Sequence, residues 1–155
     1  MRHGRLGFGA LLSIGAMAAG ALVTAPTASA VTPETATISF DCGWFGSGTA
    51  TLTATQDGTA ATISLSTSAI TSPVDLAANS VKSTLTLTKN GSGTTMFTGN
   101  ANPAIPAGSD VSTGPLAGTV AAGDSLEAKS LQVVVFGVTA TCTATSPQSP
   151  GPFVF

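Results

Sequence analysis

The stretch Thr49-Ala50-Thr51-Leu52-Thr53-Ala54-Thr55-Gln56-Asp57-Gly58-Thr59-Ala60-Ala61-Thr62-Ile63-Ser64-Leu65-Ser66-Thr67 decides the fold class. Ala50, Leu52 and Ala54 alternate with threonines, and Ala61, Ile63 and Leu65 alternate with small polar residues. A period of two puts one set on a core and the other in solvent, as in a half-buried strand. Asp57-Gly58 between the runs is a preferred type I′ hairpin turn, because glycine tolerates positive φ at no steric cost. A two-residue loop there pairs Gln56 with Thr59, and so Ala54 with Ala61, Leu52 with Ile63 and Ala50 with Leu65. Every apolar residue then faces another.

The same alternation extends outward. Ala36, Ile38, Phe40 and Cys42 share a face upstream, and Val138, Ala140, Cys142 and Ala144 share one near the C-terminus. Both cysteines fall on apolar faces, the arrangement expected of a disulfide that crosses a core and staples the first strand to the last. Its 100-residue separation corresponds, by the chain-entropy argument, to a stabilisation of about 4.7 kcal/mol. Val81, Leu85 and Leu87 line a strand from about Ser80 to Thr88. The turn at Lys89-Asn90-Gly91-Ser92-Gly93 leaves two registers open: a two-residue loop pairs Leu85 with Met96, a three-residue loop with Phe97. Asn100–Pro115, with three prolines, reads as a long loop, Leu116–Ala121 as a weak strand, and Leu126–Phe136 as a strand. Its run Val133-Val134-Val135-Phe136 suggests burial on both faces. Pro73–Ser80 is the one candidate helix. The pattern predicts an all-β fold: a single antiparallel β-sandwich, immunoglobulin-like, of about seven to eight strands.

The N-terminus has the three parts of an export signal in order. Met1–Arg5 is basic, Leu6–Val23 is apolar and uncharged, and Thr24–Ala30 ends in the cleavage pattern Ala28-Ser29-Ala30. An uncleaved anchor is the competing interpretation, but the run is rich in Gly and Ala and borderline in length. The expected organisation is a cleaved signal at 1–30, a β-sandwich at 31–145 and a Pro-rich flexible tail at 146–155, with the protein secreted and two cysteines bonded outside the cell. Polyproline recognition of Pro147–Pro150, or docking of Phe153–Phe155 on a partner, is the alternative for the tail.

Charged residues make up only 8% of the 155, against roughly 25% in ordinary soluble domains. Beyond Ala30 there is no Arg, His or Tyr, and three lysines (Lys82, Lys89, Lys129) stand against seven acids, a net charge of −4. Without histidine, general-base catalysis and metal ligation lose their commonest residue. Without a basic patch, a nucleic-acid partner is not expected. No G-x-S-x-G or S-x-x-K motif and no EF-hand pattern occurs. The acids Glu34, Asp41, Asp57, Asp75, Asp110, Asp124 and Glu127 form no local cluster. A carboxylate-pair hydrolase would need folding to bring two of them across a cleft. Glu127 and Lys129 read as a surface pair. No cofactor or metal is expected.

Two features are candidates for binding. Asp41-Cys42-Gly43-Trp44-Phe45-Gly46-Ser47-Gly48 holds the only tryptophan and three glycines. It reads either as a bent crossing whose Trp44 packs over the disulfide, as in immunoglobulin domains, or as an exposed loop in which Asp41, Trp44 and Phe45, with the apolar tail, form a contact. The T-x-T-x-T ranks at Thr49–Thr55, Thr84–Thr88 and Thr139–Thr145 read as solvent faces in which threonine replaces charge, with a lattice-matching face as the alternative. Asn90-Gly91-Ser92 fits a glycosylation sequon, but its turn role explains it.

A signal ending Ala-Ser-Ala, a first strand ending Ser39-Phe40-Asp41-Cys42, Thr/Ala-rich strands and a last strand Gly137-Val138-Thr139-Ala140-Thr141-Cys142-Thr143 resemble the small exported immunoglobulin-like β-sandwich proteins of actinobacteria. Many of these have no defined activity. The likeness implies an extracellular domain without catalytic machinery. The enediyne-carrying apoproteins are similar in architecture alone, since they have two disulfides. The expected function is therefore a secreted, non-enzymatic module binding an extracellular or cell-wall ligand, without stable membrane insertion. A small carboxylate-dependent hydrolase and a small-molecule carrier or protein inhibitor are the alternatives.

Overall fold

The alternation is realised throughout a computed structural model that describes residues 30–155. The expected export segment lies outside the described residues except for Ala30. Nine strands form among the described residues: β1 (Thr35–Asp41), β2 (Ser47–Asp57), β3 (Ala60–Thr71), β4 (Lys82–Lys89), β5 (Gly93–Gly99), β6 (Asp110–Thr119), β7 (Ser125–Val135), β8 (Val138–Ala144) and β9 (Phe153–Val154). Pro73–Ser80 is not a helix. Leu76 instead makes a two-way backbone bridge with Ile105, with N–O distances of 2.8 and 2.9 Å.

The expected immunoglobulin-like sandwich is overturned by the connectivity. The strands run β4-β5-β6-β3-β2-β1-β8-β7, and β7 pairs back onto β4. This closes an eight-stranded antiparallel barrel, with β9 added on β7. A sandwich leaves the outer strands of its two sheets unpaired, whereas closure removes those edges. Two short seams make the difference. β5 and β6 meet at one register pair, Thr98 opposite Ala117. β1 and β8 meet at two, Phe40 opposite Ala144 and Asp41 opposite Thr143. At the first seam the backbones approach closely because Gly118 has no side chain. A Cβ there would lie 2.3 Å from the Phe97 ring, which covers the glycine instead. At the second, the next pair in register is Cys42 opposite Cys142, and these form the disulfide. It joins neighbouring strands at a seam and does not cross a core between two sheets.

The lower part of β1 has no β8 beside it, and residues 146–155 fill that space. This segment is packed, contrary to the expectation of a flexible tail. Ser149 exchanges two backbone hydrogen bonds with Thr37, and Val154 two with Thr32. β9 pairs Phe153 with Leu126 on the edge of β7 that β8 leaves free. Between β8 and β9, the Ala128 amide would lack a partner; it donates to Oε1 of the buried Gln148 at 3.0 Å. Gln148 Nε2 donates to the Gly151 carbonyl, and the Gln148 amide to Glu127 Oε1. Glu127 is thus turned toward the tail, and the expected pair with Lys129 is not made. Phe153 and Phe155 are buried and meet edge to face, closing this end of the barrel with Val31 and Val120.

Three local differences have simple causes. In the β2–β3 hairpin, Asp57 pairs with Ala60, Ala54 with Ile63 and Leu52 with Leu65. The loop is therefore Gly58-Thr59, and Gly58 alone has positive φ (+61°), which suits a type II′ turn with glycine first. The register moves by two, so every side chain keeps its expected face. In the β4–β5 hairpin the three-residue loop is taken: Leu85 pairs with Phe97, which is buried, while Met96 is exposed. In β7, Thr86 faces Ser130 and Leu87 faces Ala128, so Lys129 is the extra residue of a bulge. The bulge resets the alternation. Val133, Val134 and Val135 are half-buried, not buried on both faces, and Phe136 is exposed. β6 begins at Asp110, shortening the expected loop, and accommodates Pro115 beside a register shift.

Asp124 locks the closed end. Its buried carboxylate accepts the Ala121 amide at 2.8 Å, lies 3.2 Å from Lys89 Nζ and accepts from Asn90 Nδ2 at 3.3 Å. The Ala121 N–H, then the Lys89 and Asn90 contacts, hold its pKa below the ordinary carboxylate value, with desolvation opposing them. A depressed pKa means that the unfolded chain binds more protons in acid. The stabilisation is fully present above the unfolded carboxylate's pKa and is lost as pH falls through the folded one. Asp124→Asn is expected to lower stability at pH 7, with the gap from wild type narrowing below about pH 4. Urea midpoints measured from pH 7 to pH 2.5 check this; a constant gap would exclude the linkage.

Candidate functional site

Toward the closed end Leu52, Ile63, Leu87, Leu116, Leu126 and Phe153 are fully buried and fill the interior beside the small Ala36, Ala54 and Ala61. Toward the other end several inward positions are small: Ala50, Ala128, Ala140 and Ala144. Alanines cannot fill the width of an eight-stranded barrel, whose interior is just wide enough for larger side chains to fill. A cavity of about 180 Å³ results. Its walls include Ile38, Phe40 and Leu65, with Ile70, Val111, Leu131 and Val133 further out. The Cys42–Cys142 disulfide forms part of the wall.

The expected contact residues stand beside this cavity and take different roles. Asp41 ends β1, and its Oδ1 accepts the Gly43 amide at 2.6 Å. That bond, with Cys42 N donating to the Gly46 carbonyl at 2.7 Å, fixes a short 3-10 turn at Gly43–Phe45. Phe45 borders the cavity and is about half exposed. Trp44 is 97% exposed and does not border it. The interpretation in which Trp44 packs over the disulfide is therefore corrected: the loop is held by backbone bonds and Asp41, so Trp44 is free to face solvent. The apolar tail lies at the closed end, away from this loop. Phe136 and Val138, also exposed, flank the tip of the β7–β8 hairpin, which extends past Val133 and Ala140 at the open end.

The chain matches no family model, no curated protein and no solved structure.

Four of the carboxylates are engaged by backbone amides: Asp41 by Gly43, Asp75 by Ala107, Asp124 by Ala121 and Glu127 by Gln148. Among the described residues, no group of three or more His, Cys, Asp or Glu side chains is placed to hold a metal ion, and no helix is long and apolar enough to cross a membrane. The outward threonines of β1 and β2 sit opposite one another, Thr37 with Thr51 and Thr35 with Thr53. They coat the outside of a closed, curved barrel.

Sequence reasoning missed the cavity walls. The signal was present in the inward alanines at 140 and 144, on the same face as Cys142. What they enclose depends on which strands stand opposite, and β3, β6 and β7 enter through pairings remote in sequence. Asn102 was also missed. It is buried and ties two long loops together, accepting from the Val81 amide at 2.8 Å and donating to the Ala77 carbonyl at 3.0 Å.

Proposed function

We propose that this protein is an exported, non-enzymatic binding module that takes a small apolar group into the open end of its barrel. The cavity of about 180 Å³ walled by aliphatic side chains, Phe45 and the disulfide carries this reading. Apolar cavities of about 150 Å³ stay dry and bind benzene, so the size suits a single ring or a short hydrocarbon segment. A small number of apolar pockets with polar groups at the edge is the ordinary form of a ligand site. The disulfide supports a place outside the cell.

Toluene titrated into the 15N-labelled protein tests this. The expected result is saturable shifts of the Ala50, Leu65, Ala128 and Ala140 amides, with Leu126 and Phe153 unmoved. Ala140→Leu, at a half-buried wall position, should fill the space and weaken binding at least tenfold. Shifts absent, or spread equally over both ends, would refute the reading.

A further inference from the structure

We propose that the ligand is an amphiphilic anion, with a hydrocarbon end in the cavity and a carboxylate or similar anion beside Lys129. This rests on the binding reading above and goes further, because it fixes both ends of the ligand. The polar groups of the wall decide the buried end. The Thr113 hydroxyl accepts from the Leu65 amide and donates to the Gly114 carbonyl. Thr67 donates to the Thr49 carbonyl and accepts from the Ala69 amide. Ser112 accepts from the Gly114 amide. The buried Thr113 hydroxyl is thus committed inside the chain, and the buried Ser83 hydroxyl, which has no partner, does not border the cavity; the other lining hydroxyls, Ser66 and Ser130, are exposed and half-buried, so they keep their water. A polar group carried inward would lose its water without replacement. The inner part of the ligand is therefore hydrocarbon.

The edge decides the other end. Lys129 is the one charged residue bordering the cavity, it is exposed, and the bulge in β7 inserts it there. The only ion pair among the described residues is Lys89–Asp124, so the Lys129 ammonium has no carboxylate partner in the chain. The acids around it are turned to other work: Glu127 accepts the Gln148 amide, and Asp41, two strands away in register from Ser130, accepts the Gly43 amide. Bulges at barrel rims commonly re-aim a side chain at a site.

Binding of 3-phenylpropanoate and of neutral 3-phenylpropan-1-ol, followed by amide shifts, tests the proposal. The two share the ring and chain and differ in charge. The acid is expected to bind about threefold more tightly at low salt, an effect in the range of an exposed charge pair. Lys129→Gln, a surface change that leaves the fold intact, should abolish that preference while leaving the alcohol's affinity unchanged. Equal binding of acid and alcohol, or a preference that survives Lys129→Gln, overturns the anionic end while toluene binding keeps the cavity reading. Loss of toluene binding as well overturns both.

Discussion

Phe153→Ala is expected to lower the free energy of unfolding by about 3–5 kcal/mol, the usual cost of emptying a large core site. Phe153 is eleven residues beyond the disulfide-bonded Cys142, in a segment whose composition looks like a disordered end. Its side chain is nonetheless completely buried. The strand pair with Leu126, the bonds from Val154 to Thr32 and the Gln148 brace all fix it there. Val154, next to it but turned outward and about half exposed, provides the control: Val154→Ala should change stability by less than about 0.5 kcal/mol. Urea unfolding followed by far-UV circular dichroism makes the comparison. Tryptophan fluorescence is a poor probe, since Trp44 is already in solvent. Equal, small effects at 153 and 154 would mean that the tail does not close the barrel.

The second large effect belongs to the disulfide. Cys42→Ala combined with Cys142→Ala is expected to cost about 2–5 kcal/mol, mostly by releasing the unfolded chain from a 100-residue loop closure. The position of the bond adds a local consequence. It extends a seam of only two register pairs, so its loss should free the amides around Asp41 and Thr143 to exchange with solvent before the β2–β3 hairpin opens. A uniform loss of protection would indicate that the bond acts only on the unfolded state. Removing it also takes away part of the cavity wall, so toluene affinity should fall in the same variant.

What could be read from the sequence followed from local rules. The faces of β1, β2, β3 and β8 came from a period of two, which no later register change disturbs as long as the change is even. The β2–β3 hairpin shows this: its partners moved by two residues and its faces did not. Phe97 against Met96 was undecidable locally, because one residue of loop length inverts the strand; burying the larger ring settles it. Closure was not legible. It depends on one register pair between β5 and β6, where Gly118 leaves room for Phe97, and on a tail whose partners are more than a hundred residues away at Thr32 and Thr37. The bulge at Lys129 hid the inward face of β7 by breaking its parity, and with it the one charge at the cavity edge. The Asp41–Phe45 loop was recognised as a candidate contact, but whether Trp44 faced inward turned on backbone bonds among Cys42, Gly43 and Gly46 that composition does not specify.

The central structural claim is that one barrel wall closes at both seams. Cross-strand nuclear Overhauser contacts in the uniformly labelled protein test it most directly. A closed barrel gives contacts between Thr98 and Ala117 and between Phe40 and Ala144 in the same native state as those within the hairpins. Strong hairpin contacts with both seam contacts missing would show two separate sheets and contradict the account.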